Sequence, residues 1–125
     1  MKKGFTLVEL LAVIIVLGII ATISFPLITV QINKSKQKSY DGQVKTIIDA
    51  AKRWGFDNDE SLPYDDASKT ISIDRIQKDG YLTSGNILDP RTEKKMTGCI
   101  QIKYDSNYKQ HIYEYITECS ITDIN

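Results

Sequence analysis

The chain has 125 residues and sets 16 Lys and Arg against 16 Asp and Glu, for a formal net charge of zero. That length holds one domain plus an anchor rather than several domains. Without a basic excess, electrostatics give no reason to expect direct binding of nucleic acid.

After a short basic leader, Met1-Lys2-Lys3-Gly4, the run Phe5 to Val30 contains one ionisable side chain, Glu9, and otherwise only Thr6, Thr22, Ser24 and Thr29 as polar residues. As a helix its 26 residues extend about 39 Å, against a hydrocarbon core of about 30 Å. Apolar residues fall on every face, which predicts an embedded helix rather than one lying at the surface. A secretory signal has a shorter apolar core and a small-x-small cleavage site, and neither feature is present. Lys2 and Lys3 would stay on the cytoplasmic side, leaving the C-terminal bulk outside. Glu9 lies about one helical turn into the run, where it is either a costly unpaired carboxylate that marks a functional position or a residue near enough to the headgroups to stay wet.

Lys3-Gly4-Phe5-Thr6-Leu7-Val8-Glu9-Leu10, followed by the apolar run, resembles the N-terminus of type IV pilins and of type II secretion or competence pseudopilins. The resemblance covers residues 1 to about 30. It implies a class III prepilin cut by a prepilin peptidase between Gly4 and Phe5 and methylated on the new amine of Phe5. Loss of Lys2 and Lys3 would leave a net charge of −2. It further implies that Glu9, four residues past Phe5, meets the N-terminal amine of a neighbouring subunit during filament assembly. A carboxylate and an ammonium can pair in an apolar filament core, where either alone is penalised. Pro26 falls where many of these proteins carry a helix-kinking proline, and Gly18 lies in a segment that loosens in some assembled pili. Proline removes a helix hydrogen bond and glycine weakens the helix. The implied partners are copies of itself and other pilins, the prepilin peptidase, the membrane, and an assembly platform driven by a cytoplasmic ATPase. No cofactor and no small-molecule substrate are implied.

Beyond the run, Gln31 to Ser39 is polar, and then Tyr40, Val44, Ile47, Ala51 and Trp54 recur at helical spacing, with Ile48 widening the stripe. The helix is therefore expected to continue, amphipathic, to about Arg53 or Trp54, with Gly55 as its stop and Gly42 as a weak point. Lys34, Lys36, Lys38, Lys45, Lys52 and Arg53 outnumber Asp41 and Asp49 on this segment. Such a face suits anionic headgroups, acidic neighbours in a filament or DNA, but the reading preferred for it is a solvated flank of a membrane exit.

Phe56 to Asp66 reads as an acidic loop with Pro63. Asp57, Asp59, Glu60, Asp65 and Asp66 offer oxygens of the kind calcium takes, without the spacing or glycine of an EF-hand loop. A short helix is expected from Ile73 to about Asp79. Ser72 is its N-cap, Ile71 staples onto Ile76, and Gly80 with Tyr81 closes the C-terminus. Thr83 to Gly98 is a connector.

Ile100, Ile102 and Tyr104 alternate with polar residues as a half-buried strand. Asp105-Ser106-Asn107 turns the chain, and His111 to Thr117 returns as a second strand, giving an antiparallel hairpin. Its inward face stays open between Tyr113 with Tyr115 and Ile112 with Ile116. Cys99 and Cys119 lie in the part expected outside the cytoplasm, where a disulfide is favoured. That bridge would close 21 residues and contribute about 3 kcal/mol. Hairpin register sets Cys99 against residues near Tyr115, so the bridge requires the strand end to bend back. Cys99, Cys119 and His111 are three residues of types that bind zinc, but no C-x-x-C or H-x₃-H pair supports a site. No catalytic constellation, phosphate-binding glycine loop or internal repeat is present.

The expected architecture is α+β: a leader at 1–4, a membrane or filament-core helix at 5–30, its amphipathic continuation at 31–55, and a small domain with a β-hairpin at 56–125. The expected function is that of a structural type IV pilus subunit. A pseudopilin of a secretion or DNA-uptake machine is the alternative, and a single-pass anchored binding protein that never assembles is the second.

Overall fold

Helix α1 spans Leu7–Asp57, 51 residues. The computed structural model describes Gly4, residues 6–65, residues 67–119 and Ile124. Met1, Lys2 and Lys3 of the leader, Phe5 of the expected cleavage pair and Asp66 of the acidic stretch lie outside the described residues. The chain divides into two units, Met1–Lys36 and Gln37–Asn125, with the boundary inside α1.

In the second unit, the apolar stripe forms one wall of a small core. Ile47, Ala50, Ala51 and Trp54 of α1 are all buried to within 1%. They pack with Ile71, Ile76, Ile100 and Ile102, which are fully buried. Each such isoleucine contributes roughly 1.5–3 kcal/mol by leaving water. The helix does not stop at Gly55 as the sequence predicts. Gly55 is buried, and a side chain there would run into the Tyr113 hydroxyl and Leu62. That glycine serves close approach, not termination. Asn58 closes the helix instead, its backbone N–H and its side-chain amide both donating to the Trp54 carbonyl, at 3.0 and 2.8 Å.

The expected acidic loop is shorter than predicted. Phe56 and Asp57 belong to α1, and Asp59–Ser61 make one 3₁₀ turn. Strand β1, Ser68–Ser72, follows and was not expected. Its SKTIS sequence has a single apolar residue, so it shows no alternation. The strand forms because β2, Cys99–Asp105, lies beside it, pairing Ile71 with Ile100 and Thr70 with Gln101. Strand β3, Gln110–Ile116, completes an antiparallel sheet of order β1-β2-β3. On the far side of β1, Ile124 bridges to Ile71, its N–H donating to the Thr70 carbonyl at 2.9 Å.

Helix α2, Ile73–Lys78, is built as its sequence predicts. Ser72 Oγ accepts from the Arg75 N–H at 3.2 Å. Gly80 takes a φ of +89°, a conformation that costs other residues about 1–2 kcal/mol. Gly80 and Tyr81 donate to the carbonyls of Gln77 and Ile76, each at 3.1 Å, the two bonds of a Schellman closure. The indole N–H of Trp54 donates to Asp79 at 2.7 Å, tying α1 to the end of α2.

The hairpin turn also forms as read, with Asp105 Oδ1 accepting from the Asn107 N–H at 2.9 Å. The open question of its inward face is settled for the tyrosines. Tyr113 and Tyr115 are half-buried against the core, whereas Ile112 is 44% exposed. Cys99 pairs across the sheet with Ile116. Beyond Ile116 the chain bends back, and Cys119 reaches Cys99 in a disulfide with Cα atoms 6.0 Å apart.

Candidate functional site

The described part of the first unit is a helix whose residues are nearly all exposed. From Leu7 to Val30 every large apolar side chain is exposed, from 52% at Leu11 to 83% at Leu7. The helix is long and apolar enough to cross a membrane. Thr22 and Thr29 do not break this surface, because each hydroxyl donates to a carbonyl of its own helix, Ile19 at 2.7 Å and Pro26 at 2.8 Å. Pro26 lies inside α1, and helix continues on both sides of it. Having no N–H, Pro26 leaves the carbonyl one turn earlier, on Thr22, without a helical donor. Gly18 lies in the same stretch with open space around it.

Glu9 is the one ionisable residue between the start of α1 and Lys34. It is exposed and built into the N-terminus of the helix. The Glu9 N–H donates to Thr6 Oγ1 at 3.2 Å, and the Thr6 N–H donates back to Glu9 Oε2 at 3.4 Å. This reciprocal pair is a capping box, satisfying two backbone donors that a helix start leaves open. The carboxylate also sits at the positive end of the helix dipole. Thr6-x-x-Glu9 is a legible signature of that box, which the reading of Glu9 as an isolated intramembrane charge overlooked. At Gly4, directly before the expected cut, none of the described residues comes within 4 Å of where a side chain would be.

In the second unit, the other singled-out groups are committed to the fold. Cys99 and Cys119 are bonded to each other, so neither offers a thiolate to zinc or to a nucleophilic reaction. His111 Nε2 donates to the Pro63 carbonyl at 2.7 Å, and its ring packs 4.9 Å from that of Tyr64 and 5.1 Å from that of Tyr104. Among the acidic residues, Asp59 accepts from the Tyr64 hydroxyl and Asp57 from that of Tyr81, while Asp65 accepts from the Ala67 N–H at 3.1 Å. The bond to Asp59 pushes the Tyr64 phenol up to about 12, since losing its proton would set two anions together. Asp79 is held below the usual carboxylate range, first by Arg75 at 2.8 Å and then by the Trp54 indole. Arg91 does the same for Asp89 and stacks 3.5 Å over the Tyr40 ring. No group of three or more His, Cys, Asp or Glu placed to hold a metal occurs among the described residues.

Residues 1–25 match the family described as the prokaryotic N-terminal methylation motif. Among curated proteins, the chain is similar to the type IV major alpha-pilin of Moraxella bovis. The two are 43% identical over 53 residues, covering 40% of this chain and 33% of the relative. The chain thus matches about a third of that relative's length. No solved structure gives a significant match. Both matches support the type IV pilin family, and the long helix packed on a small three-stranded antiparallel sheet is a pilin-like α+β fold.

Proposed function

We propose, from this type IV pilin relationship, that the chain is a structural filament subunit held in the membrane as a precursor. A prepilin peptidase cuts between Gly4 and Phe5 and methylates the new amine of Phe5. An assembly platform and its ATPase then move the chain out of the membrane, packing α1 against the α1 of other copies. The observation that carries this reading is the uncovered apolar surface of Leu7–Val30 with its single carboxylate at Glu9. In water such a surface has to be covered. Lipid covers it in the precursor, and neighbouring helices cover it in the filament.

The capping box explains how Glu9 is tolerated in storage. Its carboxylate is already hydrogen-bonded at the helix start, where the dipole favours negative charge. On assembly it exchanges that bond for a neighbour's N-terminal ammonium, and the pair fixes axial register because either charge alone in an apolar core is destabilising. Electron microscopy of material sheared from the native cells tests the reading. Long filaments containing this chain support a pilus. Short or absent filaments, with the chain retained at the membrane, would move it to a pseudopilin or to a simple anchored protein.

A further inference from the structure

The sheet covers one side of α1 in the second unit and leaves the opposite side bare. On that side Lys38, Asp41, Lys45, Asp49 and Lys52 are all exposed. At 3.6 residues per turn they fall within one arc of about 80°, centred opposite buried Ala50 and Trp54. Their signs alternate every three or four residues along about 21 Å of helix. Among the described residues none of the five forms an ion pair; Asp41 accepts from Gln37 Nε2 at 3.1 Å instead. Gly42 lies beside the row, one turn from both Lys38 and Lys45, and none of the described residues comes within 4 Å of where its side chain would be. A glycine at an exposed helix interior weakens the helix and lets a neighbouring backbone come close.

We propose that this row docks on the same row of a second copy lying parallel to it and displaced by about 5 Å, half the charge repeat, so that each aspartate faces a lysine and one lysine is left over at either end of the paired rows. The partner follows from the charge pattern. A row of alternating sign is complementary to itself after a half-repeat shift and repulsive in register, where lysine meets lysine. The inference rests on the filament reading above. Copies gathered helix to helix with their sheets outward have this face of α1 left for contact, and the row then sets the axial offset in the outer half of the helix.

The test uses the full chain in its native cells. One variant makes the row wholly acidic (Lys38→Glu, Lys45→Glu, Lys52→Glu) and a second makes it wholly basic (Asp41→Lys, Asp49→Lys). All five positions are exposed, so both should fold, which Trp54 fluorescence checks. Like charges set face to face are strongly unfavourable, so each variant alone should lose about tenfold or more of its sheared filaments. Expressing the two together should restore filaments holding both chains. Single changes, Lys45→Glu and Asp49→Lys, should give smaller losses of the same sign. Full filament yield from either multiple variant alone would overturn the proposal. So would failure of the mixture to assemble when both folded chains are in the membrane. Absence of filaments from the unaltered chain would instead overturn the function on which the proposal rests.

Discussion

Opening the Cys99–Cys119 disulfide gives the sharpest stability prediction. Cysteines 20 positions apart close a loop whose loss of unfolded-state entropy is worth about 3 kcal/mol. A domain this small has little to spare, since whole domains are stable by only about 5–15 kcal/mol. The chain has one tryptophan, Trp54, and it is 1% exposed in the core, so its fluorescence reports packing of the second unit. Urea unfolding of the full chain in mild detergent should show a midpoint lowered by roughly 1–3 M after reduction. The Cys99→Ala/Cys119→Ala double variant should match it; alanine is preferable to serine because Cys99 is buried. Cys119 lies five positions before Ile124, so the Ile124 N–H bonded to Thr70 should exchange faster once the bridge is opened. A midpoint unmoved by reduction, with unchanged slope, would refute the claim that this staple stabilises the small core.

Three further outcomes follow from particular contacts. Because Asp79 is held below its ordinary value, the stability it supplies is complete above about pH 4 and is lost as pH falls through the lowered value. Asp79→Asn should flatten that acid limb in urea midpoints measured down to about pH 2. A side chain at Gly98 would strike the Ile116 carbonyl, part of the backbone, whereas one at Gly55 meets only the ends of Tyr113 and Leu62. Both alanine variants should be less stable by about 1–3 kcal/mol, with Gly98→Ala the worse in thermal melts. Glu9→Ala should leave the chain in the membrane but abolish its recovery in sheared filaments, because a neighbour's buried amine loses its partner. Unchanged recovery would remove Glu9 from assembly.

Much of the fold was legible because local signals and packing agree. The stripe from Tyr40 to Trp54 states its buried face by period alone, and Ser72, Gly80 and Tyr81 bracket α2 with capping chemistry. The bend that brings Cys119 to Cys99 was a necessary consequence of hairpin register. What stayed hidden depends on contacts distant in sequence. β1 owes its existence to β2 rather than to its own SKTIS residues. Gly55 looks like a helix stop until Tyr113 is seen against it, and the hairpin's inward face follows from α1 accepting the tyrosines. At the candidate site, Glu9 stood out as a lone carboxylate in an apolar run. Its partner Thr6 was just as readable, three residues earlier, but only as a pair.

The most direct test of the account is the intact mass and N-terminal peptide of the chain recovered from its native cells. The account predicts a chain that begins at N-methylated Phe5, without Met1 to Gly4. A chain that still begins at Met1 or Lys2 would contradict it, leaving an ordinary membrane anchor and no amine for Glu9 to meet.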